Sequence, residues 1–222
     1  MKKLVLLGGC HAHVHVLKTL QDAPVADVGV TLITPYARQV YSGMLPGWVA
    51  GHYTIDQCVI PLAPLCERAG VRFLHTAGTA IDPAARRVRC ADGSTVDFDV
   101  LSIDTGPVAD LSTIPGADAH AIPVRPIEQF IEACTRMMNA VAACKAGGQN
   151  ARIVFVGAGA AGVELALAMQ HTFSEMKGTG AVALTLVSAA NTLPGSVGPR
   201  LARIMKERGI KVLTGRAAGR VH

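Results

Sequence analysis

No apolar run in this chain reaches the ~20 residues that a transmembrane helix needs. Charge is sparse, at 17% of residues, with a net balance of +5. The basic residues are scattered apart from Arg86-Arg87-Val88-Arg89 and Arg200, Arg203, Lys206 and Arg208. No basic patch with a reading module stands out, which argues against nucleic acid as a partner. The six cysteines, Cys10, Cys58, Cys66, Cys90, Cys134 and Cys144, include no C-x-x-C and match no zinc spacing. Without an export signal they read as buried thiols in a reducing compartment. Met1 to Cys10 has the outline of a lipoprotein signal, but its apolar core is too short and it reads better as a first strand. No catalytic triad or pair of carboxylates emerges from the spacing.

What is present is apolar. Half of the 222 residues are hydrophobic, enough to bury the core of one large domain or two small ones. The chain is organised around Arg152 to Met169, R-I-V-F-V-G-A-G-A-A-G-V-E-L-A-L-A-M. Ile153 to Val156 reads as a buried strand of a parallel sheet. Gly157, Gly159 and Gly162 then form G-x-G-x-x-G, and a helix follows. The first glycine permits the tight turn, the second admits a pyrophosphate to the backbone, and the third lets helix pack on strand. The helix start, with its unpaired N–H groups and its dipole, holds the anion.

The N-terminus repeats this arrangement. Lys3 to Leu7 reads as a strand, Gly8-Gly9-Cys10-His11-Ala12-His13 as the turn, and the stretch to Leu20 as a helix. Cys10 and His13 stand where the second and third glycines would be. Further strands are expected over 28–34, 71–75, 99–104, 182–187 and 210–213, and helices over 62–69, 126–146 and 199–208. Asp92-Gly93 between alternating runs predicts a small antiparallel meander around 78–98. The segment Leu111 to Val124, with Pro115-Gly116 and Pro123, reads as a connector. Tyr41-Ser42-Gly43-Met44-Leu45-Pro46-Gly47-Trp48 reads as an apolar loop, either packed on the surface or lining a flat cofactor.

These features resemble the two-dinucleotide-binding-domain flavoproteins, the pyridine nucleotide–disulfide oxidoreductase family. The matching segments are Gly8 to His13, Tyr41 to Pro46, Asp104-Thr105-Gly106, and Gly157 to Glu164 followed by Leu165-Ala166. Within the family the sequence looks most like type II NADH:quinone reductases and sulfide:quinone reductases. Its start and its Y-S-G-M-L-P-G loop also resemble the flavoprotein part fused to selenide–water dikinase in some bacteria. The resemblance implies an α/β fold of two Rossmann-like FAD/NAD(P)-binding units with parallel sheets and a small antiparallel meander. It implies an FAD unit over 1–119 and an incomplete NAD(P) unit over 120–222. Gly8, Gly9, Cys10, His11, Ala12 and His13 would form the FAD pyrophosphate turn. Thr34 and Pro35 would lie by the adenosine ribose, Ser42 and Gly43 near the flavin, and Thr105 and Gly106 near the FAD phosphates. Gly157, Gly159 and Gly162 would take the second nucleotide, with Glu164 near the junction of nicotinamide and flavin.

The resemblance implies an oxidoreductase that passes electrons from NAD(P)H through FAD to a quinone or similar acceptor. A sulfide-oxidising enzyme, or a nucleotide-binding piece without activity, is the alternative. No metal is expected: the histidines of His11-Ala12-His13-Val14-His15 are accounted for by the flavin turn. Ser188 and Ala189 stand where an acidic residue would favour NADH, which leaves NADPH open. Residues 35–52 contain no cysteine, against the dithiol branch. The family continues well past this length, so the chain is expected to be a truncated piece, inactive alone and weak in FAD binding. A cytoplasmic location is expected, with peripheral membrane contact through the absent C-terminal part and homo-oligomer formation both left open.

Overall fold

The computed structural model describes residues 1–193 and 195–221. They form two compact units: Met1–Tyr41 with Cys58–Pro107, and Ser42–Gln57 with the chain from Val108 onward.

The first unit begins with β1 (Lys2–Leu7), α1 (His11–Asp22) and β2 (Val28–Thr34). Next come β3 (Arg38–Val40) and, after the excursion through 42–57 that carries α2 (Leu45–Val49), β4 (Val59–Pro61), α3 (Leu62–Arg68) and β5 (Arg72–His75). The meander β6 (Gly78–Asp82), β7 (Arg87–Cys90) and β8 (Thr95–Asp97) precedes β9 (Val100–Ile103). The main sheet has the order β5-β2-β1-β9, all parallel. Successive strand side chains point to opposite faces, and β1 shows the consequence. Leu6 packs with Leu17 and Leu20 of α1, Leu32 of β2, and Leu62, Leu65 and Cys66 of α3. Val5 and Leu7 pack with Ile33 and, from the meander, Val88 and Cys90. Helices thus cover one face and the meander the other. Each such leucine contributes about 1.5–3 kcal/mol by burial.

The meander follows from its turn chemistry. Gly93 takes φ +84°, and the Asp92 carboxylate accepts from the Ser94 N–H at 2.9 Å, closing the β7–β8 hairpin. Arg87 lies opposite Asp97 across the strands and bonds it at 2.7 Å. Both are exposed, so the pair adds little stability.

The second unit contains α4 (Ala117–His120), α5 (Ile127–Ala146), β10 (Ala151–Val156), α6 (Ala160–Glu175), β11 (Val182–Val187), α7 (Gly198–Glu207) and β12 (Lys211–Leu213). Its parallel sheet runs β10-β11-β12. Leu184 and Leu186 on the central β11, with Val163, Ala166, Met169 and Phe173 on α6, are buried. The excursion 42–57 packs here. Leu45 and Val49 are buried, the Thr172 hydroxyl of α6 donates to the Val49 carbonyl, and the rings of His52 and His171 lie 5.6 Å apart.

Three expectations differ from this structure. The stretch Leu111 to Val124 is not all connector, since it holds the short α4. Residues 41–48 are not plain loop: a 3-10 turn over Ser42–Met44 runs into α2. The strands β9 and β10 are not fully buried, and along β10 the exposure alternates, so one face of that strand is left uncovered. Val100 and Ile103 are both 58% exposed, and Val154 and Val156 are 58% and 52% exposed.

Candidate functional site

In the first unit, β1 ends in a turn of enforced shape. Gly8 has φ +94°, and a Cβ there would lie 2.1 Å from the Asp104 carbonyl oxygen. No side chain fits this position. The Gly8 N–H donates to Ile33 O at 2.8 Å, and the Asp104 N–H to Leu7 O at 2.7 Å, so the turn is laced to β2 and β9. Helix α1 starts from Cys10, which has no side-chain cap bond. The Asp104 carboxylate supplies the cap from outside, accepting from the His13 N–H at 3.1 Å. The earlier N–H groups of the first turn, on His11 and Ala12, have no intrahelical acceptor.

His13 is not at the surface. With Leu17 and Leu20 it forms the buried stripe of α1. Its Nδ1 lies 2.6 Å from Gly8 O and its Nε2 2.8 Å from Ser102 Oγ. It shapes the turn from inside, while His11 and Ala12 are exposed.

A cleft of about 200 Å³ opens at the carboxyl ends of these strands, lined by Gly8, Gly9, Cys10, Thr34, Pro35 and Thr105 among others. This is where open parallel sheets take ligands. Six of the sequence-designated residues therefore meet in one place. Thr34 is 1% exposed, and its Oγ1 accepts from the Tyr36 N–H at 3.3 Å. Gly106 takes φ +76°, with a built Cβ 3.2 Å from the Cys10 sulfur. Sequence reasoning missed Tyr36, Arg38, Gln39, Ala77 and Gly78, which also line the cleft. Arg38 and Gln39 reach it because β3 pairs with β4 across the 42–57 excursion, and no local pattern announces that pairing. Ser42 and Gly43 lie at the start of that excursion, in the second compact unit.

In the second unit the three glycines separate by cause. Gly157 has φ +101° and donates its N–H to Val187 O at 2.8 Å, making the tight turn. A Cβ on Gly162 would lie 2.0 Å from Gly157 O, so helix α6 packs directly on the turn. Gly159, at the start of α6, has ordinary extended backbone, with φ −66° and ψ 176°. A Cβ there meets nothing within 4 Å. The surrounding fold makes no steric demand for glycine at 159, which is the N-cap of α6. Glu164 is exposed on α6. Ser188, just beyond β11, is 6% exposed, and its Oγ accepts from the Ala190 N–H at 3.2 Å.

The thiols are mostly sequestered. Cys58, Cys66, Cys90 and Cys134 are buried, and Cys10 and Cys144 are half-buried. Burial pushes the Cys66 and Cys134 thiols up to about 11.

The sequence matches the pyridine nucleotide-disulphide oxidoreductase family over residues 2–222. It is 27% identical, across 96% of its own length and 57% of the relative's, to an NADH dehydrogenase-like protein of Bacillus subtilis. A sulfide-quinone reductase of Aquifex aeolicus is 27% identical over 48% of this chain and 24% of its own. An external alternative NAD(P)H-ubiquinone oxidoreductase of Arabidopsis thaliana is 24% identical over 93% of this chain and 40% of its own. The chain thus spans between 24% and 57% of the length of these relatives. Among solved structures, the Aquifex aeolicus sulfide:quinone oxidoreductase superposes with a TM-score of 0.81 at 18% identity, covering 100% of this chain and 53% of that one. NDH2 of Plasmodium falciparum in complex with NADH gives the same score and identity, covering 100% and 49%. Both share the fold of two strand–turn–helix units described above. With the match running through both turns, the chain belongs to the pyridine nucleotide-disulphide oxidoreductase family.

Proposed function

We propose that this chain carries the FAD and NAD(P)H sites of an oxidoreductase that passes electrons from NAD(P)H through flavin to a quinone or similar small acceptor. The observation that carries this reading is the pair of phosphate turns in one chain, with Gly8 at φ +94° and Gly157 at φ +101°, each ending a strand and opening a helix. The FAD site falls within residues 1–119 and the NAD(P)H site within 120–222.

The residues present fit a dinucleotide end. The cleft at Gly8, about 200 Å³, is smaller than the ~300–1,000 Å³ of a whole-ligand pocket. It suits the adenosine and pyrophosphate part of FAD. In this reading the His11 and Ala12 N–H groups hold the pyrophosphate, and Gly9 and Cys10 bring backbone close to it. Thr34 and Pro35 border the ribose, and Thr105 and Gly106 close the phosphate side. Ser42, Gly43 and Glu164 belong toward the flavin and nicotinamide. Bound flavin supplies the redox chemistry, and the protein binds and orients it. Gly157, Gly159 and Gly162 bind the second pyrophosphate at the start of α6.

Sulfide as electron donor is the weaker reading. It calls for reactive thiols beside the flavin, and burial holds Cys66 and Cys134 in the protonated form. Among the described residues no helix is long and apolar enough to cross a membrane.

The test is anaerobic titration of the FAD-reconstituted protein with NADH, NADPH and sulfide. Bleaching of the flavin bands by a nicotinamide, with their return on adding a soluble quinone, supports the reading. Bleaching by sulfide with no response to either nicotinamide refutes it.

A further inference from the structure

We propose that the second unit is built for the 2′-phosphate of NADPH, with Arg216 as the cation that receives it. This rests on reading the second unit as the nicotinamide site. In a parallel nucleotide-binding unit, the adenosine ribose lies at the end of the strand that follows the glycine turn. A carboxylate there takes the ribose hydroxyls of NADH, whereas an arginine nearby accommodates the 2′-phosphate of NADPH.

Here that strand is β11, and it ends at Ser188. No aspartate or glutamate occurs between Glu175 and Glu207, so the whole stretch around the ribose position lacks a carboxylate. A 2′-phosphate meets no like charge from it, and the ribose of NADH finds no acidic acceptor. The Ser188 Oγ uses one lone pair on the Ala190 N–H, at 3.2 Å. The hydroxyl also carries one proton to donate.

Arg216 is fixed beside this position by the backbone. Its N–H donates to Ser188 O at 2.9 Å, Ser188 N–H donates to Leu213 O at 2.8 Å, and Gly215 N–H donates to Ala190 O at 2.8 Å. Gly215 takes φ +65°, and a Cβ there would lie 2.8 Å from the Asn191 Oδ1, so the loop after β12 lies close against the loop after β11. Because β10, β11 and β12 are parallel, both loops lie at the same sheet end as the Gly157–Gly159 turn. Arg216 is exposed at that end. A guanidinium offers a planar fork of donors that matches phosphate oxygens, which an ammonium does not.

The test uses the full 222-residue chain saturated with FAD, with far-UV circular dichroism checking each variant's fold. Calorimetric titrations compare NADP⁺ with NAD⁺, and 2′,5′-ADP with 5′-AMP. NADP⁺ and 2′,5′-ADP bind at least about 10-fold tighter than their partners, the size expected for a charge-assisted phosphate contact. Arg216→Ala lowers NADP⁺ affinity about 10- to 100-fold more than NAD⁺ affinity. Arg216→Lys restores part of the loss, and Ser188→Asp inverts the preference. The proposal is overturned if wild-type protein binds NAD⁺ as tightly as NADP⁺, or if Arg216→Ala changes both affinities alike. Binding of neither nucleotide overturns it together with the nicotinamide reading of the unit. Equal binding of both spares that reading and removes only the 2′-phosphate.

Discussion

The imidazole of His13 sits 2.6 Å from the Gly8 carbonyl oxygen, five residues earlier. The corresponding pair in the second unit is Gly162 and Gly157, also five apart, and there not even a Cβ fits: it would lie 2.0 Å from the carbonyl oxygen. The two units solve the same junction in different ways. The second packs helix on turn through glycine. The first interposes a ring that fills the space and makes a hydrogen bond. A carbonyl only accepts, so Nδ1 carries the proton there. Nε2 lies 2.8 Å from the Ser102 hydroxyl, tying the turn to β9.

His13→Ala should therefore cost about 2–4 kcal/mol, combining a cavity with an orphaned carbonyl and hydroxyl. His13→Gly, although it restores the fingerprint letter, should cost at least as much, because the surroundings are built around the ring. Urea unfolding midpoints measure both. A midpoint for either variant equal to wild type contradicts this role.

The glycines of the two turns give a second prediction. Gly8→Ala and Gly162→Ala each drive a methyl into backbone and should destabilise by about 2 kcal/mol or more. Thermal melting of the two variants checks it, and an unchanged melting temperature for either one contradicts the close approach.

The thiols predict a reactivity order. Cys10 in the cleft and the half-buried Cys144 should label with a disulfide reagent at pH 8, and Cys66 and Cys134 should not. FAD should protect Cys10 alone. Raising the pH from the ordinary thiol value of 9.0 toward about 11 should also lower stability, because the unfolded chain releases the Cys66 and Cys134 protons before the folded one does. Mass mapping of the labelled peptides and a pH series of unfolding curves decide both points. Early labelling of Cys134 would contradict its burial.

The excursion 42–57 predicts a local effect. Thr172→Val removes the donor to Val49 O and should cost about 1 kcal/mol, with faster amide exchange confined to α2 and its flanks. Uniform exchange across the second unit would contradict this.

Much of the architecture was legible because it is local. Apolar runs gave the parallel strands, Asp92-Gly93 gave the hairpin, and the glycine spacing gave both turns. What stayed hidden depends on distant chain. The β3–β4 pair is separated by the excursion 42–57, and nothing in Leu45 to Val49 says that it packs on α6, far along the chain. The partial exposure of β9 and β10 depends on what covers each sheet face, and an apolar strand reads the same whether or not its second face is covered. His13 read as part of the turn, in the place of the third glycine, yet the stripe it shares with Leu17 and Leu20 was there to be read. The cleft residues Arg38 and Gln39 carry no motif at all.

The central claim is that two separate dinucleotide sites exist, and Gly159→Val tests it most directly. Residue 159 has extended backbone and open space around its built Cβ, so valine should leave the fold and the first unit undisturbed. FAD and NADP⁺ are titrated calorimetrically into the wild-type chain and the variant. The account predicts FAD affinity within about 3-fold of wild type and NADP⁺ affinity reduced more than about 10-fold, the size of a lost backbone–phosphate contact. Parallel loss of both nucleotides, or undiminished NADP⁺ binding, would contradict it.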